Sequence, residues 1–436
     1  MITSPLFSGR NYAVLGLART GQACVAALAA SSASVTAWDS SPEARDTVAQ
    51  LATIADPMEI DLSGFDGLVV SPGVPLNRHP VVDRARAAGC PIIGDIELFA
   101  LARETLPPHR VVGITGTNGK STTTALIHHI VRNAGLPTRM GGNIGLPILG
   151  QEPLAPGGIY VLELSSYQID LTHNLDCDVA VLLNVTPDHL DRYEGFEAYA
   201  ASKARLFAMQ SADHIAVIAT EDPQTRAIAD LVNSKLITVQ ADNIDPDDQA
   251  NWPALQGPHN AQNTAVAIAV ARALGLQDKA IGHALESFGG LAHRMERVTE
   301  RDGVLYVNDS KATNPASTAP ALAAYPPAPG PVAIPRIHWI VGGLPKSDNL
   351  DECAPWFGHV AQAYTIGEAG PMFTDLLKDK MPVEHCELMV TAVERAAVAA
   401  KPGDVVLLSP ACASFDQFKD FEARGDAFKA AVGALA

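Results

Sequence analysis

The stretch Gly113-Ile114-Thr115-Gly116-Thr117-Asn118-Gly119-Lys120-Ser121-Thr122 lies between an apolar β-rich run, Val111 to Thr115, and a helical pattern. Strand, glycine-rich turn and helix in that order form the setting a phosphate-binding loop requires. Glycines let successive backbone N–H groups close around phosphate oxygens, and the helix N-terminus turns its unpaired N–H groups and positive dipole end toward the anion. Lys120 is then placed to neutralise the β- and γ-phosphates, and the Ser121 hydroxyl to ligate magnesium. The strict motif wants glycine at 114, where Ile114 stands; Gly116 supplies the flexible point two residues later. A plain packing turn is the bland alternative, and G-T-N-G-K-S-T in this context disfavours it. Residues Gly116 to Thr122 are therefore expected to bind ATP.

Outward from the loop, short β-rich runs alternate with helical patterns in both directions. They are Tyr12–Leu15, Val35–Trp38, Leu68–Ser71, Tyr160–Leu164, Val179–Asn184 and His214–Ala219, then Leu305–Asn308, Ile337–Val341, Ala363–Ile366 and Val405–Ser409. The alternation predicts an α/β protein built on doubly wound, mostly parallel sheets. A chain of 436 residues exceeds what one core organises, so three domains are expected. Breaks at Leu106-Pro107-Pro108 and Gly289-Gly290-Leu291 place them at 1–108, 109–291 and 292–436. The acidic stretch Ala241–Gln256 and the Pro-rich stretch Tyr325–Pro335 read as surface loops.

A net charge of -17 with no local basic cluster argues against nucleic acid polymers and anionic membrane surfaces. It does not argue against a nucleotide, whose phosphates are held by backbone amides, one or two lysines and magnesium. The six cysteines are scattered without zinc-like spacing and read as reduced, buried thiols. No leader pattern precedes Tyr12, the small-residue run Ala26–Ser34 suits a helix following Gly21, and no apolar stretch approaches membrane-spanning length. A monomeric cytoplasmic protein without membrane insertion is expected.

Further motifs follow the loop in a fixed order: Gly141-Gly142-Asn143-Ile144-Gly145, Leu162-Glu163-Leu164-Ser165-Ser166, Asn184-Val185-Thr186-Pro187-Asp188-His189, Ala201-Ser202-Lys203 and His259-Asn260-Ala261-Gln262-Asn263. The last third adds His293-Arg294, Asn308-Asp309-Ser310-Lys311-Ala312-Thr313-Asn314 and Ser409-Pro410-Ala411-Cys412-Ala413-Ser414-Phe415-Asp416. Together they resemble the Mur ligase family over essentially the whole chain, and within it the branch that joins D-glutamate to UDP-N-acetylmuramoyl-L-alanine. The resemblance implies a Rossmann-like N-terminal domain for the UDP-substrate, a central P-loop ATPase-like domain, and a Rossmann-like C-terminal domain for the amino acid. It also implies a ligase of cytoplasmic peptidoglycan precursor synthesis that uses ATP and two magnesium ions and passes through an acyl phosphate.

The same resemblance distributes roles. Lys120, Glu163, His189 and Lys203 are the implied catalytic residues, with Ser121, Glu163, His189 and a carbamylated Lys203 as metal ligands. Asn260, Asn263, Arg294, Asp309 and Lys311 join the ATP loop, the last three closing from another domain. Arg19, Thr20, Asp39, Ser40, Gly73, Asn143 and His189 meet the UDP-substrate, and Thr313, Lys346, Ser414 and Phe421 meet D-glutamate. In Gly342-Gly343-Leu344-Pro345-Lys346 the acidic residue that often precedes the basic one in the family is missing.

Read without the family, several of these residues have plainer accounts. Glu163 ends a buried strand, where magnesium-binding acids of α/β sheets sit, but it can equally cap the next helix, and His189 can be an interior hydrogen-bonded histidine. Periodicity makes Lys203 a solvated helix residue, Lys346 a surface lysine on a turn, and Asn260 or Asn263 an N-cap. Gly16-Leu17-Ala18-Arg19-Thr20-Gly21 followed by Asp39 is a weak dinucleotide fingerprint as well as a UDP-site candidate. Another Mur ligase, a folylpolyglutamate synthase-like ligase, a non-catalytic P-loop regulator and a small-molecule phosphotransferase are the alternatives the sequence leaves open.

Overall fold

The computed structural model describes residues 1–188, 192–328, 330 and 333–435. The chain builds three sheets. The first has strands β1 (Asn11–Leu15), β2 (Ser34–Trp38), β3 (Thr53–Ile54), β4 (Gly67–Val70) and β5 (Ile92–Ile93) in the order 3-2-1-4-5, all parallel. The second has β6 (His109–Thr115), β7 (Thr138–Gly142), β8 (Gly158–Glu163), β9 (Val179–Leu182), β10 (Ile215–Ala219) and β11 (Lys235–Val239) in the order 11-10-9-6-8-7, also parallel. The third has β12 (Glu296–Arg301), β13 (Val304–Asn308), β14 (Ile337–Gly342), β15 (Val360–Ile366), β16 (Val383–Glu387) and β17 (Val405–Leu408) in the order 12-13-17-14-15-16. Only its edge pair β12–β13 is antiparallel among the described strands.

Every run read as a strand forms one. The strands that periodicity missed are mostly edge or short elements: β3 and β5 have two residues each, and β12 alternates exposed and half-buried residues. β7 and β11 are edge strands whose side chains stay partly exposed, so their sequences carry no continuous apolar run. The central strands β6, β8, β9, β14 and β17 are buried along all or nearly all of their length, as parallel strands covered on both faces must be.

By contacts the chain divides into two compact units, 1–243 with 262–285 and 244–261 with 286–436. The first and second sheets share one unit, so the break read at Leu106–Pro108 separates sheets and not compact bodies. The reason is packing: helix Asp95–Ala102 is buried along nearly its whole length, and its Glu97 Oε2 accepts from the amides of His173 (2.7 Å) and Asn174 (3.0 Å), across to the second sheet's loops. The break at Gly289–Leu291 falls four residues past the end of the first unit at Leu285. The stretch Ala241–Gln256 is not plain loop; Ala241–Asn243 is a 3₁₀ turn and Pro246–Gln249 a short helix whose N-cap Asp245 accepts from the Asp247 amide.

The helix after β1 starts at Arg19, not after Gly21. Gly21 lies inside its first turn because a Cβ there would sit 1.8 Å from the Gly16 carbonyl oxygen. Gly21→Ala is expected to cost roughly 2–4 kcal/mol of stability, since backbone rather than a flexible side chain must move. Chemical denaturation measures it, and a change under about 0.5 kcal/mol contradicts the packing argument.

Candidate active site

Strand register places the phosphate loop. β6 lies between β8 and β9, with Ile114 opposite Glu163 and Thr115 opposite Leu182. The chain leaves β6 where its neighbours lead to opposite sides, the crevice in which open α/β sheets bind ligands. The Thr117 amide donates to the Asn184 carbonyl (2.9 Å), the Asn118 amide to Asn184 Oδ1 (2.8 Å), and Thr117 Oγ1 meets Tyr199 OH at 3.2 Å. Asn184 thus fastens the loop twice, a role its place in a quoted motif did not reveal. Gly119 has φ +81°, and a Cβ on it would come 2.4 Å from Asn263 Oδ1. Asn263 is buried in helix Pro258–Ala273 and lies against the loop; it is not that helix's cap. Asn260 is no N-cap either, because its side-chain amide donates to the Gln256 carbonyl. It belongs to the second unit while Asn263 belongs to the first.

Lys120 Nζ donates to the Gly116 and Thr117 carbonyls at 2.9 and 2.7 Å, and Lys203 Nζ reaches the same Gly116 oxygen at 2.9 Å. Lys203 is only 1% exposed and lies over the Tyr199 ring at 4.5 Å, so the solvated-helix reading was wrong. Its surface-like spacing belongs to a helix covered on that side by the loop itself. Burial, and then the Lys120 charge, hold its pKa well below the ordinary lysine range, against the pull of Asp188 and Asp170.

Glu163 is 2% exposed at the end of β8. Its Oε1 accepts from Asn143 Nδ2 at 2.8 Å, while its Oε2 is buried with no hydrogen-bond partner among the described residues. The capping alternative fails, because Ser165 and Gln168 form a capping box on helix Ser166–Asp170. A buried, half-satisfied carboxylate beside a phosphate loop suits a hard, oxygen-seeking cation. Among the described residues no three His, Cys, Asp or Glu side chains gather. Of the residues read as metal ligands, Glu163 and the Ser121 hydroxyl, together with phosphate oxygens, offer donors that fit a magnesium ion. Glu163→Gln is expected to lower turnover by about 10²-fold and raise the magnesium concentration needed for half-maximal rate; an unchanged magnesium dependence contradicts the assignment. His189 lies outside the described residues.

Most candidate UDP-substrate residues follow β1, β2 and β4, Arg19 and Thr20 in the first turn of the helix after β1 and Asp39, Ser40 and Gly73 on loops, and these segments are tied together. Ser71 Oγ donates to the Gly16 carbonyl (2.8 Å), and Asp39 accepts from the amides of Leu17 (2.6 Å) and Ser41 (2.9 Å). Desolvation raises the Asp39 pKa, but these amides, the Ser40 hydroxyl and Arg45 outweigh it and leave it lowered. With both carboxylate oxygens committed to its own backbone, Asp39 orders the turn, which counts against the ribose-binding role a dinucleotide fold needs. Arg19 is exposed and Thr20 half-buried at the start of the helix, Ser40 and Gly73 are exposed on their loops, and Asn143 is exposed just after β7.

In the second unit, Asp309 is buried after β13, accepting from Ser409 Oγ (2.8 Å) and the Met295 amide (3.1 Å). Burial pushes its pKa up to about 7, against the pull of Ser409 and Arg294. Lys311 Nζ lies 3.9 Å from the Phe421 ring centroid, and Lys346 Nζ is 3.4 Å from Thr313 Oγ1. What holds this cluster together is Arg424, which sequence reading missed. It is 1% exposed and donates to Ser310 Oγ (2.9 Å), the Ser310 carbonyl (2.8 Å) and the carbonyls of Cys412 (3.0 Å) and Ala413 (3.1 Å). It thereby joins the loop carrying Lys311 and Thr313 to the loop carrying Ser414. One arginine in an amphipathic terminal helix gives no such signal in sequence.

Sequence profiles decide the family. The Mur ligase MurD-like N-terminal domain matches residues 10–94, the Mur ligase middle domain 114–253, and the Mur ligase glutamate ligase domain 293–412. The chain belongs to the Mur ligase family. Among Mur ligases it is 64% identical over 438 residues to the UDP-N-acetylmuramoylalanine--D-glutamate ligase of Novosphingobium aromaticivorans, covering 100% of this chain and 97% of that one. It is 63% identical over 436 residues to the enzyme of the same name from Sphingopyxis alaskensis, covering all of both chains. The Mur ligase fold is also seen in the crystal structure of UDP-N-acetylmuramate-alanine ligase MurC from Thermotoga maritima (TM-score 0.58, 15% identity), over 98% of this chain and 99% of that one.

Proposed function

We propose that this Mur ligase adds D-glutamate to UDP-N-acetylmuramoyl-L-alanine at the expense of ATP, through an acyl phosphate. The observation that carries the reading is the β6 loop, where Lys120 and Lys203 converge on the Gly116 carbonyl beside the half-satisfied Glu163 carboxylate. The full-length likeness to relatives named for this reaction supports the choice of substrates. We take 1–108, 109–291 and 292–436 as UDP-substrate, ATP and amino-acid domains, in a cytoplasmic enzyme.

An amide does not form from a carboxylate and an amine in neutral water without activation. The loop amides and Lys120 hold the triphosphate so that the L-alanyl carboxylate attacks the γ-phosphorus and ADP leaves. Glu163 and Ser121 would hold magnesium, which would supply charge neutralisation between the anions. The amino group of D-glutamate then attacks the acyl carbon and expels phosphate. Thr313, Lys346, Ser414 and Phe421 orient that amino acid, Lys346 pairing with a carboxylate.

Lys203 has the depressed basicity that reaction with carbon dioxide needs, and its carbamate would turn a cation beside Lys120 into an anionic oxygen ligand for a second magnesium. A carbamate carbon signal in ¹³C NMR with labelled bicarbonate, absent from Lys203→Arg, is expected; its absence in both proteins ends this assignment. For the reaction as a whole, phosphate release from ATP is expected only with both UDP-N-acetylmuramoyl-L-alanine and D-glutamate present. Release with L-glutamate, or with neither acceptor, would point to a different ligase or a phosphotransferase.

A further inference from the structure

We propose that a pocket on the open edge of the second sheet binds a small phosphate monoester, at a place separate from the ATP loop and independent of the reaction assigned above. The pocket has a volume of about 450 Å³ and is lined by the distal half of helix Lys120–Asn133, by β7 and by the loop that follows it. Three of its side chains are basic: His128, Arg132 and Arg139. Among the described residues no carboxylate lines it, on a chain whose acids outnumber its lysines and arginines by 48 to 31. Neither guanidinium has an ion-pair partner among the described residues. Glu152, the carboxylate that feels Arg139, is engaged by the Met1 ammonium at 2.7 Å.

The chemistry of the walls selects the ligand. Two guanidinium forks and an imidazole match the several oxygens of a phosphate better than a single carboxylate. Leu136, Met140 and Leu146 give the remainder of the wall an apolar surface, and Leu146 is 66% exposed, so the organic part of an ester has somewhere to lie. The wall is braced beforehand: Gln151 Nε2 donates to the carbonyls of Met140 (2.8 Å) and Leu146 (2.9 Å). His128 lies eight residues along its helix from Lys120, about 12 Å at ~1.5 Å per residue, so the two sites do not share a ligand. Its pKa is lowered by burial and then by Arg132, His129 and Arg139, so it stands in a field that an anion would relieve.

That makes the His128 ring a local reporter. Phenyl phosphate titrated into the full chain at about 0.15 M salt is expected to shift the His128 ring signals, assigned with H128Q, with half-saturation below about 1 mM, and to raise the pKa of the ring. R132Q and R139Q are each expected to weaken binding at least about tenfold, and K120A to leave it unchanged. Both arginines are exposed, so these variants should fold; an unaltered spectrum elsewhere and unchanged ligase turnover check this. Weaker binding of inorganic phosphate than of the phenyl ester is expected if the apolar wall takes part. Half-saturation above about 10 mM, equal binding by R132Q/R139Q, or loss of the shift in K120A overturns the proposal.

Discussion

Lys120→Ala is expected to reduce turnover by about 10³-fold or more while leaving the fold intact. The ammonium offsets charge that builds on the transferring phosphoryl group, and losing one such group costs several kcal/mol of barrier. Its structural cost is small, because the Gly116 carbonyl that Lys120 contacts also accepts from Lys203. The substitution has a second consequence: Lys203 loses the like charge that helps hold its pKa down, so its proton affinity should rise. A phosphate-release assay and a thermal melt measured side by side separate catalysis from folding. Near-normal turnover would remove the central role given to the loop.

The largest stability loss is expected from Arg424→Ala. This guanidinium donates four hydrogen bonds, three of them to the backbone carbonyls of Ser310, Cys412 and Ala413. Truncation strands these acceptors in a buried place and opens a void, for a cost of about 3–5 kcal/mol. Lysine is not expected to rescue it, since a single ammonium cannot span two loops as a planar fork does. Because those loops carry Thr313 and Ser414, the KM for D-glutamate should rise more than kcat falls in any variant that still folds. Chemical denaturation together with a D-glutamate titration tests both parts, and a loss under about 1 kcal/mol would show that Arg424 does not hold the loops.

Lys203 and Arg424 show where sequence reading stops. A lysine or arginine in a helix has the same spacing whether its side chain meets solvent or another loop, so periodicity assigns both to the surface. Only the resemblance singled out Lys203, and nothing singled out Arg424. Asn184 is a similar case, since its double grip on the Thr117–Asn118 peptides depends on two strands lying side by side. Edge strands such as β7 and β12 escaped for a simpler reason. They have one partner and a wet face, and so lack the apolar run that marks a central strand.

What this sequence determined alone is local and periodic: the buried strands, the glycine-rich turn between β6 and its helix, and hence parallel α/β sheets with a phosphate loop at a strand's C-terminal end. These follow from backbone sterics and from the burial of alternate layers, which neighbours in the chain already encode. The tertiary structure decided which polar groups lose water and what replaces it. It buried Lys203 beside Lys120, left one oxygen of Glu163 without a partner among the described residues, and drew two distant loops onto Arg424. Desolvation and pairing depend on residues far apart in the chain, and no short stretch of sequence contains them.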